Sequence, residues 1–491
     1  MIIKKYILLI FISLLTLPVL AEDYKASLFG INSDGVTLNT RSIQYAIDFI
    51  HERGGGRLVF YVGRYVTGSI YLKSNVTIRL EEGAVLVGSL NPFDYDKNIW
   101  TALIFAKDQT NVGITGKGII DGRGQQVALN VVTNIEKGLL KDSYKYGRPS
   151  AENRPVNIYF RNCQNIVIRG ITLRNSASWN QNYDQCKNLL VDSVTVDNTV
   201  YWNEDGVDIL NCENVVVSNC YIDAADDGIC LKSFDSTKIC KNVLIHNNKI
   251  RTSANGIKFG TASLGGFEDV RIINNVVFNT YRSAVALEAV DGGYIKNIEI
   301  DSLQSIHTGN VIFLRIGERW VPGKIGHFEN VKISNVTGDI PATKPDAGYG
   351  YEGPEEDQPR NISPGIIIAG LPGSPITDIS FKNIQFTHPG GGQANYANIP
   401  LDKLNAIPEL PANYPEFSMF KELPAWGIFA RHATGLKFLN ITMECERKDF
   451  RIPIVLDDVS QCSFSELKIS QLGKEKKKYI YQNNCKGISV K

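Results

Sequence analysis

The sequence has little methionine and no excess of charge of either sign. Only 3 of its 491 residues are Met whereas 43 are Gly, which favours strands and turns over a helical bundle. Lys plus Arg (52) balance Asp plus Glu (51), so nothing indicates a nucleic-acid partner or a polybasic membrane contact. No C-x-x-C pair, P-loop or Rossmann fingerprint occurs. The sequence therefore predicts no metal and no cofactor.

Long apolar runs are absent after the first 21 residues, and that first stretch has the pattern of a secretory signal. Lys4 and Lys5 precede an apolar run over Tyr6–Val19, and the stretch closes at Ala21. The run is short for a membrane span, although a membrane anchor is the alternative reading, and no Cys marks a lipoprotein cleavage site. We expect residues 1–21 to be removed, leaving an exported monomer in the periplasm or outside the cell, without membrane contact.

Nine cysteines are too few for a disulfide scaffold in a chain of this length, but their spacing reveals a repeat. Four of them stand two residues before an Asn, and each Asn opens a short β-branched segment that alternates apolar and polar residues. Segments of the same kind recur through residue 443. The first six begin at Asn165, Asn188, Asn214, Asn242, Asp269 and Asn297, which gives spacings of 23, 26, 28, 27 and 28 residues.

A strand-only repeat of this period predicts a parallel β-helix, an all-β solenoid in which each coil buries its apolar side against the next. The period is too short for the blades of a β-propeller. Equivalent residues of successive coils should stack in columns, so we expect the Asn residues to form a hydrogen-bonded ladder and the Cys residues to be mostly buried thiols. Disulfides between adjacent coils stay open as an alternative.

The ends and the loops complete the predicted organisation. Leu38–Glu52 has helical apolar spacing, which predicts a short N-terminal capping helix over the open end of the solenoid. Strands are expected near Arg57–Phe60, Gly68–Leu72 and Val76–Leu80. Residues 22–491 are predicted to form one β-helix domain, interrupted by long loop insertions near 341–364 and 389–424.

Two acidic motifs lie one coil apart. Asp205 follows Asn203-Glu204, and Asp226-Asp227 follow 21 and 22 residues later, so stacking should bring the three carboxylates onto one wall. Alternation in the strands that follow turns Val207, Ile209, Ile229 and Leu231 inward and Asp208, Cys230 and Lys232 outward. Consecutive Asp226 and Asp227 reach one cleft only if they stand where the chain bends into its strand.

Crowded carboxylates push one another's pKa values apart, which suits a reaction that needs one protonated acid and one ionised base. Hydrolysis of a glycosidic bond needs that pair. A calcium site or an acidic turn ladder would also explain the spacing.

The order Asn203-Glu204-Asp205, then Asp226-Asp227-Gly228, resembles the family 28 glycoside hydrolases, the polygalacturonase and rhamnogalacturonan hydrolase group. Further similar segments are residues 30–35, 54–68, 114–122 and 175–179. The resemblance implies a single-stranded right-handed parallel β-helix (a pectin-lyase-like solenoid) and inverting hydrolysis. It implies Asp226 as the general acid and Asp205 and Asp227 as the bases that activate water.

The sequence departs from the polygalacturonase pattern at two places. The Gly-His-Gly of the family aligns with Ala254-Asn255-Gly256, and its Arg-Ile-Lys, which holds the galacturonate carboxylate, aligns with Ala286-Leu287-Glu288. Other cations that should face outward could meet an acidic sugar instead, although each could equally lie on a solvated face. The predicted substrate-binding residues are Trp202, Asn203, Lys232, Asn255, Lys258, Glu288 and Arg315.

Aromatic residues and one histidine add weaker candidates. Sugar-stacking platforms could come from Trp179, Trp202, Trp320, Tyr349 and Trp426, although a Trp in a solenoid more often packs in the core. His432 fits a turn histidine better than a site residue.

The function predicted from these residues is an exported inverting glycoside hydrolase that cleaves α-linked uronic acid or related sugars in pectic polysaccharide. The long insertions modestly favour exo action. Two alternatives stay open: a polysaccharide lyase on the same fold, with Lys258 as its base, and a non-enzymatic glycan-binding protein.

Overall fold

The computed structural model describes residues 22–97, 100–144, 148–346, 348–350, 362–393, 400–471 and 479–491. The predicted signal at residues 1–21 lies outside the described residues. No helix in the described part is long and apolar enough to cross a membrane.

The chain begins with the predicted cap. The helix α1 spans Thr40–Glu52 and buries Ile43, Ala46, Ile47 and Ile50, the residues that the apolar spacing selected. The first ten strands are β1 Asp23–Lys25, β2 Asp34–Leu38, β3 Gly56–Phe60, β4 Gly63–Thr67, β5 Ile70–Tyr71, β6 Val76–Leu80, β7 Ala84–Gly88, β8 Ala102–Lys107, β9 Thr110–Gly116 and β10 Ile119–Asp121. The prediction placed only β3, β5 and β6 of this group, so it missed the other strands and the helix α2 at Gly124–Glu136, which is inserted between two coils.

The middle of the chain forms the regular coils. Its strands are β11 Val156–Arg161, β12 Gln164–Arg169, β13 Thr172–Arg174, β14 Gln181–Asp184, β15 Lys187–Asp192, β16 Thr195–Asn198, β17 Val207–Leu210, β18 Glu213–Ser218, β19 Tyr221–Ala224, β20 Ile229–Ser233, β21 Cys240–His246, β22 Lys249–Thr252, β23 Ile257–Ser263 and β24 Gly266–Ile273.

Longer strands follow, because some of them continue round a corner of the coil. They are β25 Val276–Ala289, β26 Tyr294–Ile316, β27 His327–Asp339, β28 Ile366–Ala369, β29 Ile376–Thr377, β30 Ile379–His388, β31 Ala425–Thr434, β32 Lys437–Cys445, β33 Ile452–Gln471, β34 Ile480–Asn483 and β35 Lys486–Val490.

Each strand of the regular coils pairs in parallel with the strand three places along the chain, which confirms the predicted parallel β-helix. The face that carries the acids, here called sheet 1, runs through β8, β11, β14, β17, β20 and β23 and continues into β25, β26, β28 and β31. Two further faces contain the β9–β12–β15–β18–β21–β24 and β10–β13–β16–β19–β22 stacks.

The inward residues of the coils form one continuous apolar core, as the alternation predicted. Val207, Ile209, Ile229 and Leu231 are fully buried in it, one coil above the other. The Cys163, Cys186, Cys212 and Cys240 column is also fully buried, and all nine cysteines are free thiols. Disulfides between coils, the alternative left open above, are therefore not formed.

The predicted asparagine ladder runs along one corner of the solenoid. The side-chain amide of each Asn donates to the Oδ1 of the Asn one coil earlier, at 2.7–3.0 Å, from Asn111 through Asn165, Asn188 and Asn214 to Asn242. The ladder residues have φ values near +55°, a conformation that Asn adopts more readily than most residues. Asn therefore both adopts the turn conformation and forms the hydrogen bonds between stacked coils.

Replacing Asn188 with Ala is expected to lower the free energy of unfolding by about 2 kcal/mol, because two hydrogen bonds are lost and Ala adopts the left-handed region less readily than Asn does. Asn188 donates to Asn165 and accepts from Asn214. Urea denaturation followed by circular dichroism measures the loss. Asn188→Asp is the matched control, since Asp269 occupies a ladder position in this chain and still accepts from Asn297. Equal losses in the two variants would contradict the role given to the ladder.

Candidate active site

The three acids stand where the chain bends into two neighbouring strands of sheet 1. Asp205 precedes β17, and Asp226 and Asp227 precede β20, which pairs with β17 in register. The main-chain N–H of Asp226 donates to the Glu204 carbonyl at 3.1 Å, and that of Gly206 donates to the Asp227 carbonyl at 2.9 Å. Asp205 and Asp227 are buried, and Asp226 is half-buried. Asp205 and Asp227 bring one carboxylate oxygen each within 4.8 Å of the other.

Lys232 neutralises the carboxylates of Asp205 and Asp208. Its Nζ lies 2.9 Å from Asp205 Oδ2 and also contacts Asp208 Oδ1. The ring of Trp179 covers the same ammonium group at 4.1 Å. Burial raises the pKa of Asp208 to about 6 against the opposing effect of Lys232. Burial and the neighbouring Asp208 also raise the pKa of Asp205, so this pair holds a proton more readily than isolated carboxylates do.

Lys258 neutralises Asp227 as Lys232 neutralises Asp205, but here the pKa of the carboxyl group is lowered. Its Nζ lies 3.1 Å from Asp227 Oδ2, while the side chain and main chain of Asn255 donate to Oδ1 at 2.9 and 3.0 Å. Burial alone would raise the pKa of Asp227, but Lys258, Lys232 and Arg282 with the Asn255 hydrogen bond hold it below its usual range. Asp227 is therefore ionised across the neutral range.

Lys258 itself stays protonated. Burial alone would lower its pKa, but Asp227 and Glu288 raise it well above its usual range. Its ammonium donates to the hydroxyl of Tyr414 at 2.8 Å. A lyase base has to accept a proton, so a permanently charged Lys258 does not suit the lyase alternative.

Two more acids are buried around this centre. Burial raises the pKa of both Glu204 and Glu288 to about 8. Glu204 accepts from the main-chain N–H of Val200. Glu288 lies 3.9 Å from Lys258, and among the described residues its oxygens have no hydrogen-bond partner. Glu288 is thus a largely neutral carboxyl group in the place where the resemblance would put a cation.

Residues 400–424, here called the wall segment, cover sheet 1 just beyond the acids. Apolar side chains of the segment pack on the outer face of the sheet, and Ala286 is buried in this cluster. The wall segment covers position 286, which explains the small alanine side chain there. Members from the wall segment are Leu404, Ile407, Phe417, Phe420 and Leu423, and members from the sheet include Phe313, Ile367 and Phe429.

The wall segment also brings polar groups to the site that the sequence did not reveal. Tyr414 reaches Lys258, and Glu416 pairs with Arg282 at 3.2 Å. Arg282 lies close enough to Asp226 and Asp227 that these acids, together with Glu416, raise its pKa against burial. Tyr414 is 156 residues from Lys258, so no local sequence signal could have found the contact.

Arg315 and Arg431 fasten the wall segment to sheet 1. Arg315, predicted to bind substrate, is 1% exposed and donates to the carbonyl oxygens of Glu409 and Leu410. Arg431 donates to the Ile407 carbonyl and pairs with the Glu409 carboxylate at 2.8 Å. His432 bridges the same Glu409 to Asp458, which makes it a residue of this attachment. The substrate-binding role of Arg315 stays a prediction, because the partners of its guanidinium group in the structure are main-chain carbonyl oxygens of the protein itself.

The other predicted binding residues lie on both sides of the acids. Asn203 accepts from Arg154 at 2.9 Å, and the guanidinium group of Arg148 lies 5.2 Å from the Trp202 ring centre. Trp426 is fully buried beside His388, so it packs in the core and is not a sugar platform.

Within the described part of the chain, two groups of potential metal ligands are present, and neither suits calcium. Asp205 and Asp227 cluster with the thiol of Cys230, but calcium prefers oxygen ligands and both acids already face ammonium groups. The second group contains His388, Cys445 and Asp449, whose carboxylate is held by Arg451 at 2.9 Å. The donor chemistry of both groups therefore speaks against a calcium-dependent site.

Comparison with known proteins finds several polygalacturonases. A probable polygalacturonase of Vitis vinifera is 29% identical over 386 residues, covering 72% of this chain and 72% of the relative. An exo-poly-alpha-D-galacturonosidase of Dickeya chrysanthemi is 26% identical over 441 residues, covering 74% and 71%. The family 28 exopolygalacturonase structure of Yersinia enterocolitica superposes with a TM-score of 0.65 at 20% identity, covering 95% of this chain and 78% of that one, which shows the shared fold.

The chain also matches the sequence model of a whole family. The sequence model of glycosyl hydrolases family 28 matches residues 63–340, which is 278 of 491 residues and includes Asp205, Asp226 and Asp227. The match covers more than half of the chain, and the protein therefore belongs to glycosyl hydrolases family 28 and is a polygalacturonase-like glycoside hydrolase.

Proposed function

We propose that the protein is an exported hydrolase that cleaves α-linked uronic acid or related sugars in pectic polysaccharide, with inversion of configuration. The observation that carries the proposal is the pairing of an ionised, lysine-bound Asp227 with the half-buried Asp226 at one strand entrance. The polygalacturonase relatives support a pectic substrate. The predicted signal at residues 1–21 supports export to the periplasm or beyond.

In the proposed mechanism Asp226 donates a proton to the leaving oxygen while a water molecule attacks the sugar from the opposite side. Asp227, kept ionised by Lys258, accepts the proton of that water, and Asp205 with its shared proton orients it. Inversion requires the acid and the base to stand about 6.5–9.5 Å apart so that water fits between them. Burying the base beside fixed cations prepares the charge distribution before substrate arrives.

We also propose exo action, because both insertions meet beside the acids. The wall segment places Tyr414 over Lys258, and Tyr281 packs against Phe417 of the same segment at 6.0 Å. From the other insertion, the Lys344 ammonium lies 5.1 Å from the Tyr281 ring centre, and the Tyr349 hydroxyl donates to Asp223. A cleft closed on one side admits a chain end more readily than the middle of a polymer.

A product assay on pectic polymers and oligomers tests these proposals. Reducing ends and ultraviolet absorbance are measured together on homogalacturonan, rhamnogalacturonan and side-chain fragments, with Asp226→Asn as the control. Release of short products with new reducing ends, without absorbance and without an early fall in viscosity, is expected from an exo-acting hydrolase. Absorbance from an unsaturated product would overturn hydrolysis, and a rapid fall in viscosity would overturn exo action. Proton NMR of the first product anomer tests inversion.

A further inference from the structure

A cavity of about 650 Å³ opens on the outer face of sheet 1, at the coils of β11, β14 and β17. Its floor contains Arg161, Asp184 and Leu210, which are register neighbours in successive coils. Lys232 is the next residue in that column after Leu210. The floor of the cavity therefore leads directly to the ammonium group that holds Asp205 and Asp208.

The walls of the cavity are aromatic and aliphatic. On one side Trp100 packs against Trp179 with ring centres 4.6 Å apart, and Trp179 in turn covers Lys232. On the other side stand Leu264 and Phe234. Phe234 stacks on Trp320 at 6.1 Å, and both rings are 45% exposed. Exposed aromatic faces beside an active site are surfaces on which a ligand can bury apolar area.

Hydrogen bonds hold the Phe234 wall in place before any ligand binds. The side-chain oxygen of Asn211 accepts from the main-chain N–H groups of Phe234 and Asp235 at 3.0 and 3.2 Å. Its amide group donates to the Lys238 carbonyl at 2.6 Å. A wall that is already ordered loses little conformational freedom on binding.

The charges that line the cavity disfavour an anionic sugar. Among the described residues that line it, Arg161 is the one cation, and its guanidinium group lies 3.3 Å from the Asp184 carboxylate. Glu152 and Asp235 add two more carboxylates to the lining. Carboxylates accept hydrogen bonds from sugar hydroxyls but repel another carboxylate.

Two further cations near the cavity already have partners. Lys232, the next residue of the floor column, is held by Asp205 and Asp208. The ammonium group of Lys238 donates to the side chain of Gln185 at the rim of the cavity. A uronate placed in the cavity would therefore meet three carboxylates and a guanidinium group that already has a partner.

We propose that this cavity is a subsite for an uncharged sugar residue of the substrate. The inference rests on the proposed function, since it assigns the substrate of the same cleft: a mixed pectic oligosaccharide in which neutral sugars accompany uronates, in preference to a uronate homopolymer.

Binding to the Asp226→Asn protein, which should not turn substrate over, tests the subsite directly. Isothermal titration compares a mixed oligosaccharide of alternating uronate and neutral residues with a linear uronate homo-oligomer of equal length. Adding Phe234→Ala is expected to raise the Kd for the mixed ligand about tenfold, because one aromatic contact and its buried area are lost. Tyr61→Ala is the matched control, because Tyr61 is similarly exposed (49%) but lies on the N-terminal coils.

A charge variant tests the selectivity. Glu152→Lys replaces an exposed carboxylate of the rim with a cation, so the homo-oligomer should gain affinity relative to the mixed ligand. Two results would overturn the proposed subsite. One is tighter binding of the homo-oligomer than of the mixed ligand to the unaltered cavity, and the other is a Kd for the mixed ligand that Phe234→Ala does not change. Phe234-dependent binding without any hydrolysis by the wild type would uphold the subsite and reject the proposed function, so the two failures are distinguishable.

Discussion

Replacing Asp226 with Asn is expected to lower kcat by about 10³-fold, because an amide cannot protonate the leaving oxygen. The change is nearly isosteric and Asp226 is only half-buried, so the fold should persist. KM should change little, since the interaction removed is made chiefly in the transition state. Initial rates of reducing-end release on the best substrate of the panel measure the effect.

A change of leaving group separates the loss of the acid from a general disturbance of the site. A synthetic glycoside with an aryl leaving group of low pKa needs no protonation, so Asp226→Asn should keep most of its activity on that substrate. The control is Asp269→Asn, which places at a ladder position the residue found there in the neighbouring coils. Equal losses on both substrates would contradict the assignment of Asp226 as the acid.

Replacing Lys258 with Met should lower the free energy of unfolding at pH 7 by about 3 kcal/mol, because Asp227 would be left buried without its cation. Lys258 is 1% exposed, 3.1 Å from Asp227, and bonded to Tyr414 of the wall segment. Activity should fall as well, since Asp227 would no longer be held ionised. Urea denaturation at several pH values measures the stability, and the exposed Lys249→Met is the matched control.

The pH dependence identifies the charge as the cause. In the wild type the folded-state pKa of Asp227 lies below its unfolded value, so its contribution is present above the unfolded pKa of about 4 and is lost as pH falls through the folded pKa. Without Lys258 burial should raise that pKa, and protonation would relieve the variant at low pH. The difference from wild type should therefore begin to shrink above pH ~4, as the pH falls through the raised pKa of the variant, and it should go on shrinking toward the folded pKa of the wild type. A loss that is the same at pH 4 and pH 7 would indicate lost packing instead.

The repeat made the fold predictable. Each coil has to bury its apolar side on the next, so Asn and Cys recur at equivalent positions of successive coils. The structure confirms both the ladder, formed by Asn165, Asn188, Asn214 and Asn242, and the buried thiols. Strict alternation likewise placed Lys232 and Lys258 outward, on the side of the acids. The helix Gly124–Glu136 escaped prediction because an insertion between coils leaves the repeat unchanged.

The sequence by itself determined the coil, the cap, the columns and the position of the three acids, because all of these follow from contacts between residues one repeat apart. Only the tertiary structure decided which carboxylates are ionised, since that depends on burial and on which lysine each one meets. Only the tertiary structure placed Tyr414 on Lys258 and Arg315 beneath the wall segment. Those contacts join irregular loops to distant coils, where no period or spacing carries the information.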